Sequence, residues 1–274
     1  MSGSDDNMIY ISDNGKYNFE KANIKFREPR DLTSGGRLVT ISYGDGKTGG
    51  QMLVQTPTLY APMGKSVYDN PGAATKHSML LSLRDMETSP DLQELQKILS
   101  QIDTTIRETG FVRCKSWFKK TYKTADTVNE LYTPLERVSK NKEGEPDGKW
   151  PPNIKLNLPY GKDGTPQFTT YNAAGEEISI DSVDLKHSNV RAIMVLQNVW
   201  IAGGNMFGVS MKAVQIMVDP PRKMNICAFK GVKLCDKVEL MDAADKLSSS
   251  TTALLLEDSD DDADGDADVE AGQE

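Results

Sequence analysis

Apolar and polar residues alternate in short runs along most of this chain. "GRLVTISYG" reads as a strand with Val39, Ile41 and Tyr43 on one face. "DGKTGG" follows as a Gly-rich turn, and "QMLVQTPTLYAP" as a second strand ending at Pro57 or Pro62. "HSMLLSLRDM" is a third. One long helix interrupts the pattern. Ser89 suits its N-cap, Pro90 its first position and Gly110 its end, and Leu92, Leu95, Ile98, Leu99, Ile102 and Ile106 recur at helical spacing. That stripe reads as core. "KNKEGEPDGKWPPN" is a turn-rich linker. Beyond it "NIKLNLPY", "QFTTYN" and "EEISI" are short strands, the last two forming a hairpin around Gly175. "VRAIMVLQNVWI" and "FGVSMKAVQIMV" flank "AGGN" and are apolar on both faces, as strands of a covered or closed sheet are. "CDKVELMDAADKL" reads as a short helix. Strands without regular helix alternation predict a β-rich (α+β) body, an open or closed barrel rather than a parallel α/β sheet.

Composition divides the 274 residues in two. The chain has a formal net charge of −8, but residues 257–274 hold ten acidic side chains and no Lys or Arg. The first 256 residues are therefore slightly basic, at about +2. A run of like charge repels itself and has little to bury, so the expected organisation is a poorly ordered N-terminus (1–20), a folded domain (21–240) and a flexible acidic tail (241–274). No apolar run approaches the ~20 residues of a membrane span, and "MSGSDDNMIY" lacks the pattern of a secretory signal. Cys114, Cys227 and Cys235 form no C-x-x-C pair, which fits reduced thiols and an intracellular protein.

The sequence offers no catalytic, metal or cofactor constellation. "GDGKTGG" ends like a phosphate loop, but Ile41 stands where that motif needs its first glycine, and a strand follows instead of a helix. His77 and His187 are far apart, and three scattered cysteines make no zinc site. A two-metal nuclease would need clustered acids, and none stands out in the body.

One segment does carry chemistry. "RCKSWFKKTYK" sets Arg113, Lys115, Lys119, Lys120 and Lys123 around Trp117, Phe118 and Tyr122. Single-stranded nucleic acid needs cations along its phosphates and flat rings for its bases, and an extended segment of this length would supply both. The alternative places Trp117 or Phe118 in the core, with the lysines as a solvated rim. Tyr43, Lys47, Lys212, Arg222 and Lys223 are further candidates for the same surface, and Trp150, Lys155, Tyr160, Lys162 and Lys230 could extend it. The acidic tail could mimic phosphate in such a groove, or only solubilise the protein.

The stretches "LVQTPTLYAPMGK", "WPPNIKLNL" and above all "GGNMFGVSMKAVQIMVD", with the acidic terminus, resemble the single-stranded DNA-binding proteins of the bacteriophage T7 type, including relatives in large DNA viruses of algae and protists. Gly208, Ser210, Lys212 and Gln215 match that family's pattern best, whereas Met211 stands where an aromatic is expected. The resemblance implies an oligonucleotide-binding barrel with an added helix, and a non-enzymatic protein that coats single-stranded DNA during viral replication, recombination and repair. It implies replication partners recruited by the tail, leaves a homodimer open, and places the protein at viral replication sites in nucleus or cytoplasm, or in the virion. A rival from another class is a structural or chaperone-like viral protein whose tail binds basic partners.

Overall fold

The alternation in "NIKLNL" is realised residue by residue. In the strand Asn153–Leu158, Ile154, Leu156 and Leu158 are buried, while Asn153, Lys155 and Asn157 stay partly exposed. The computed structural model describes residues 7–33, 35–44, 49–69, 75–203 and 206–221, and the structural statements below concern these. They fall in one unit, Met1–Arg222. The expected helix at 235–247 and the acidic tail lie outside the described residues.

Five strands close a circuit. The first barrel strand has two halves, Met52–Gln55 and Leu59–Ala61; the second is Lys76–Ser82, the third Asn153–Leu158, the fourth Ser188–Ile201 and the fifth Phe207–Asp219. The first pairs with the second at Tyr60–Ser82, and the second runs antiparallel to the third over six residue pairs. The third is parallel to the fifth, the fifth antiparallel to the fourth, and the fourth antiparallel to both halves of the first. The order 1-2-3-5-4-1 is that of the oligonucleotide-binding barrel. Closure leaves none of the five as a free edge.

Local chemistry explains the irregularities. Pro57 has no N–H, so the first strand breaks there. Thr56 repairs the ladder: its N–H donates to Ala192 O at 2.8 Å, and its hydroxyl accepts from Ala192 N–H at 2.9 Å. The fourth and fifth strands shift register twice, and the first shift leaves Val214 unpaired between Ala213 and Gln215. Such bulges increase the local twist that lets a long hairpin curve around a barrel.

The helix runs Pro90–Val112, between the second and third strands, with its apolar stripe buried. Burying a Leu or Ile contributes roughly 1.5–3 kcal/mol, so six of them anchor the helix far more firmly than propensity would. Ser89 is the N-cap, although its side chain makes no capping hydrogen bond. Gly110 does not end the helix. It is buried, and a Cβ there would meet Phe207 Cε2 at 3.3 Å and Trp117 Cε3 at 3.5 Å. It is a close-approach glycine.

Two expectations are corrected. Residues 8–17 belong to the body: Met8–Ile9 pairs in parallel with Leu53–Val54, and Ile9 and Tyr17 are buried. The apolar residues of "MIYISDNGKY" outweigh its polar composition. The segment 113–123 is not extended, because Cys114–Phe118 forms a short helix.

Candidate nucleic-acid interface

Sheet register places a set of outward side chains on barrel strands one, two, three and five and on two short added strands, Lys65–Tyr68 and Glu136–Arg137. Ser66, Ser78, Asn157 and Lys212 form one cross-strand row, Leu80 and Lys155 the next, and Tyr60, Ser82, Asn153 and Arg137 a third. Tyr68 and Lys76 pair at the other end. Over this face lies an open groove of about 600 Å³. Its cations are Lys76, Arg137, Lys155 and Lys212, and its larger rings Tyr160 and Trp200. Among the described residues no Asp or Glu lines it. None of the four cations is in a salt bridge among the described residues. A concave surface of one charge sign focuses potential on its contents.

The walls are held from behind. Trp200 lies opposite Gly208 in the fourth–fifth strand pair, and a Cβ on Gly208 would sit 2.8 Å from Trp200 Cζ2 and 3.0 Å from Thr133 O. Glycine lets the indole lie across the fifth strand in the groove. Thr133, Pro134 and Leu135 form another wall, and buried Asp103 of the long helix fixes it. Tyr132 Oη donates to Asp103 Oδ1 at 2.5 Å, and Leu135 N–H donates to Oδ2 at 3.2 Å. Burial pushes the Asp103 carboxyl up to about 6, against the lowering effect of these two bonds. At the opposite end the Tyr160 ring sits 4.0 Å from His77, and Lys65 lies over it at 5.7 Å. Lys65 also pairs with Asp181 at 2.6 Å, which raises its pKa.

Of the residues expected from sequence, Lys212 lines this groove, as do Lys155, Tyr160 and Ser210. Gln215 lies past the bulge, beside a separate small apolar cavity. Trp150 is exposed, with Lys149 5.8 Å from its ring, and does not line the groove. Lys47, Arg222, Lys223 and Lys230 lie outside the described residues.

The aromatic expectations are corrected. Trp117 is 0% exposed and Phe118 4%. Trp117 packs edge-on to Phe26 at 5.5 Å, Phe118 contacts Phe207 at 5.0 Å, and Phe207 contacts Tyr132 at 5.1 Å. The Trp117 indole N–H has no acceptor among the described residues, an orphaned donor tolerated for the sake of packing. Tyr43 is buried too, stacked on Phe19, and its hydroxyl accepts Glu20 N–H at 2.8 Å. Burial raises its pKa. None of these three rings can stack on a base where it stands. Tyr122 is half-buried against Phe118.

The cations of the segment fare differently. Arg113 donates to Phe26 O at 3.3 Å, and Lys119 pairs with Asp31 at 3.1 Å. Asp31 also holds Arg37, which donates to the carbonyls of Ser116 and Trp117 and so clamps the short helix. The bonds from Lys119 and Arg37 keep the Asp31 carboxyl below its ordinary range. Lys115, Lys120 and Lys123 are exposed. Sequence reasoning missed Lys76, Arg137 and Trp200. The outward positions of alternating strands, filtered for lack of acids, would have found Lys76; Arg137 sits on a two-residue strand with no pattern to read.

The fold and groove define an oligonucleotide-binding barrel carrying a cationic face. No protein-family model and no curated protein matches the sequence. Among solved structures the chain is similar to gp2.5, a single-stranded DNA-binding protein encoded by bacteriophage T7, with 9% identity, a TM-score of 0.39, and coverage of 66% of this chain and 98% of that one. It is also similar to the single-stranded DNA-binding protein of bacteriophage Enc34 in complex with ssDNA, with 12% identity, a TM-score of 0.39, and coverage of 72% and 96%.

Proposed function

We propose that this protein binds single-stranded DNA without strong sequence preference, in the groove across barrel strands two, three and five, and that it is not an enzyme. One observation carries the reading: a groove that, among the described residues, has four cations outside any salt bridge and no carboxylate, in a chain whose formal charge is −8. The second–third strand face is also where barrels of this class take up oligonucleotides. Lys76, Arg137, Lys155 and Lys212 would follow phosphates, and Trp200 and Tyr160 would stack on bases. Such contacts do not identify bases, so the binding is sequence-tolerant.

The sequence resemblance supports a finer reading. The protein coats and protects single strands during viral replication, recombination and repair. Its acidic tail regulates binding and recruits replication proteins, and Lys115, Lys120 and Lys123 form a secondary cationic surface. The test is titration with oligo-dT while tryptophan emission is followed. Trp200 is the reporter in the groove, so emission should quench in the native chain and lose most of that change in Trp200→Phe. An emission and anisotropy signal that stays flat for oligo-dT at low salt would rule the reading out.

A further inference from the structure

The outward face of the barrel continues past the groove. Arg137 lies opposite Asn153, Asn153 opposite Ser82, and Ser82 opposite Tyr60, so a groove cation shares a row with Tyr60 on the first strand. Tyr60 carries a stack. The Arg84 guanidinium lies 3.4 Å from its ring centroid. The His187 ring stacks at 5.9 Å with planes 24° apart, and His187 Nδ1 is 2.6 Å from Tyr60 Oη. Arg84, Lys186 and His187 are all exposed.

His187 closes the turn before the fourth strand, its N–H donating to Ala61 O at 2.7 Å. His187 has φ +63°, a left-handed conformation that glycine adopts with less strain, yet an imidazole stands there. Arg84 has one ionic partner among the described residues, Asp85 at 3.5 Å, and its Nη donors make no hydrogen bond among them. A guanidinium laid flat on a ring keeps a planar fork pre-organised for phosphate oxygens. Counted along the register, Tyr60 stands four residues and two strand spacings from Asn157 in mid-groove, roughly 16 Å at ~3.3 Å per residue and ~4.8 Å per strand.

We propose that Tyr60, Arg84 and His187 form a second contact station for the same single strand. Arg84 takes a phosphate, and His187 with Tyr60 offers a ring face to a base. DNA leaving the groove past Arg137 crosses the second strand to reach them. This rests on the groove reading above, and it adds a length dependence: a short oligomer fills the groove alone, and a longer one reaches the station.

The test compares two probes on the full chain, dT oligomers of ~5 and ~15 nucleotides, within the usual range for one barrel. Arg84→Ala removes the fork. His187→Gly removes the ring and suits the backbone it occupies. Each should weaken the longer oligomer by about tenfold and leave the shorter within about twofold, in the range of one stacked base or charged contact. Melting curves like those of the native chain would show that neither variant acts through unfolding. Unchanged affinity for the longer oligomer overturns the station. Equal losses on both lengths also overturn it, because the stack would then only support the groove. The double variant Lys155→Ala/Lys212→Ala is the control for the prior reading. If it leaves both oligomers bound as before, the groove assignment fails, whatever the station does.

Discussion

Two regions of this molecule gather cations and rings, and they do so in opposite ways. In residues 113–123 the groups are adjacent in sequence and dispersed in space. A short helix and a left-handed residue at Lys119 turn Trp117 and Phe118 into the core, where they back Phe207, and Lys119 is tied to Asp31. In the groove the groups come from five strands between Lys76 and Lys212, and from Tyr160 just past the third barrel strand, and converge on one face. Local density therefore marks a packing cluster here, and convergence marks the proposed site. A ring beside lysines is a good stacking platform only if the backbone leaves it outside. At 113–123 the demand for apolar area behind the fifth strand outweighs that role.

The largest expected effect breaks the comparison from the core side. Trp117→Ala should destabilise the fold by ~3–5 kcal/mol, the usual cost of removing a fully buried aromatic ring. Chemical denaturation measures it. The variant that remains folded should bind oligo-dT like the native chain. Lost binding with an unchanged denaturation midpoint would return Trp117 to the DNA surface.

The next effect joins the two regions, because Asp103 ties the long helix to the groove wall. Its pKa of about 6 lies above the unfolded value of 3.8. A raised folded pKa gives stability that is full below pH 3.8 and is lost as pH rises through about 6. The loss is ~3 kcal/mol at 1.36 kcal/mol per pH unit. Asp103→Asn can still accept Leu135 N–H and face the Tyr132 hydroxyl, so it should remove this dependence. Its stability relative to the native chain should rise by up to ~3 kcal/mol between pH 4 and pH 8, read as a shift in urea midpoint. A parallel pH profile for the two proteins would mean that Asp103 does not titrate in this window.

Much of the scaffold is legible in the sequence. The period-two pattern of residues 153–158, the helical stripe from Leu92 to Ile106 and the hairpin around Gly175 are recovered in place. What stays hidden is tertiary. The strand Lys65–Tyr68 is short and polar, and it exists by pairing with the second strand. Asp103 sits among helix residues with nothing local to announce a partner 29 and 32 residues away. The absence of described acids from one face, on which the proposed site rests, becomes visible only once the strands are in register. Lys212 and Lys155 were legible because each stands at an outward position of a recognisable strand.

A smaller effect tests the groove directly. Trp200→Ala should weaken oligo-dT binding by ~1–3 kcal/mol, the range for one stacked base, with a smaller loss of fold stability because the ring is only partly buried. Gly208→Ala should act in the same direction by pushing the indole off the fifth strand. Isothermal titration on both variants decides this. If Gly208→Ala binds normally, the indole's position across that strand does not matter for DNA.

The smallest effect is a slope, and it separates the two cationic regions most cleanly. For single strands, log K falls with log salt at about −0.7 per phosphate neutralised. A lysine that touches phosphate contributes to that slope; one that only adds to the general field contributes little once the Debye length is near 8 Å, at ~0.15 M salt. Lys155 and Lys212 face the groove, and neither is in a salt bridge among the described residues. Lys155→Ala/Lys212→Ala should therefore flatten the slope by ~1.4. Lys115→Ala/Lys120→Ala/Lys123→Ala removes one more charge, but from residues that do not line the groove. Its affinity should fall mainly at low salt, and its slope should change by less than half as much. If the triple variant flattens the slope at least as far as the double one, phosphates run over residues 113–123 after all. The strand path would then leave the barrel face on that side.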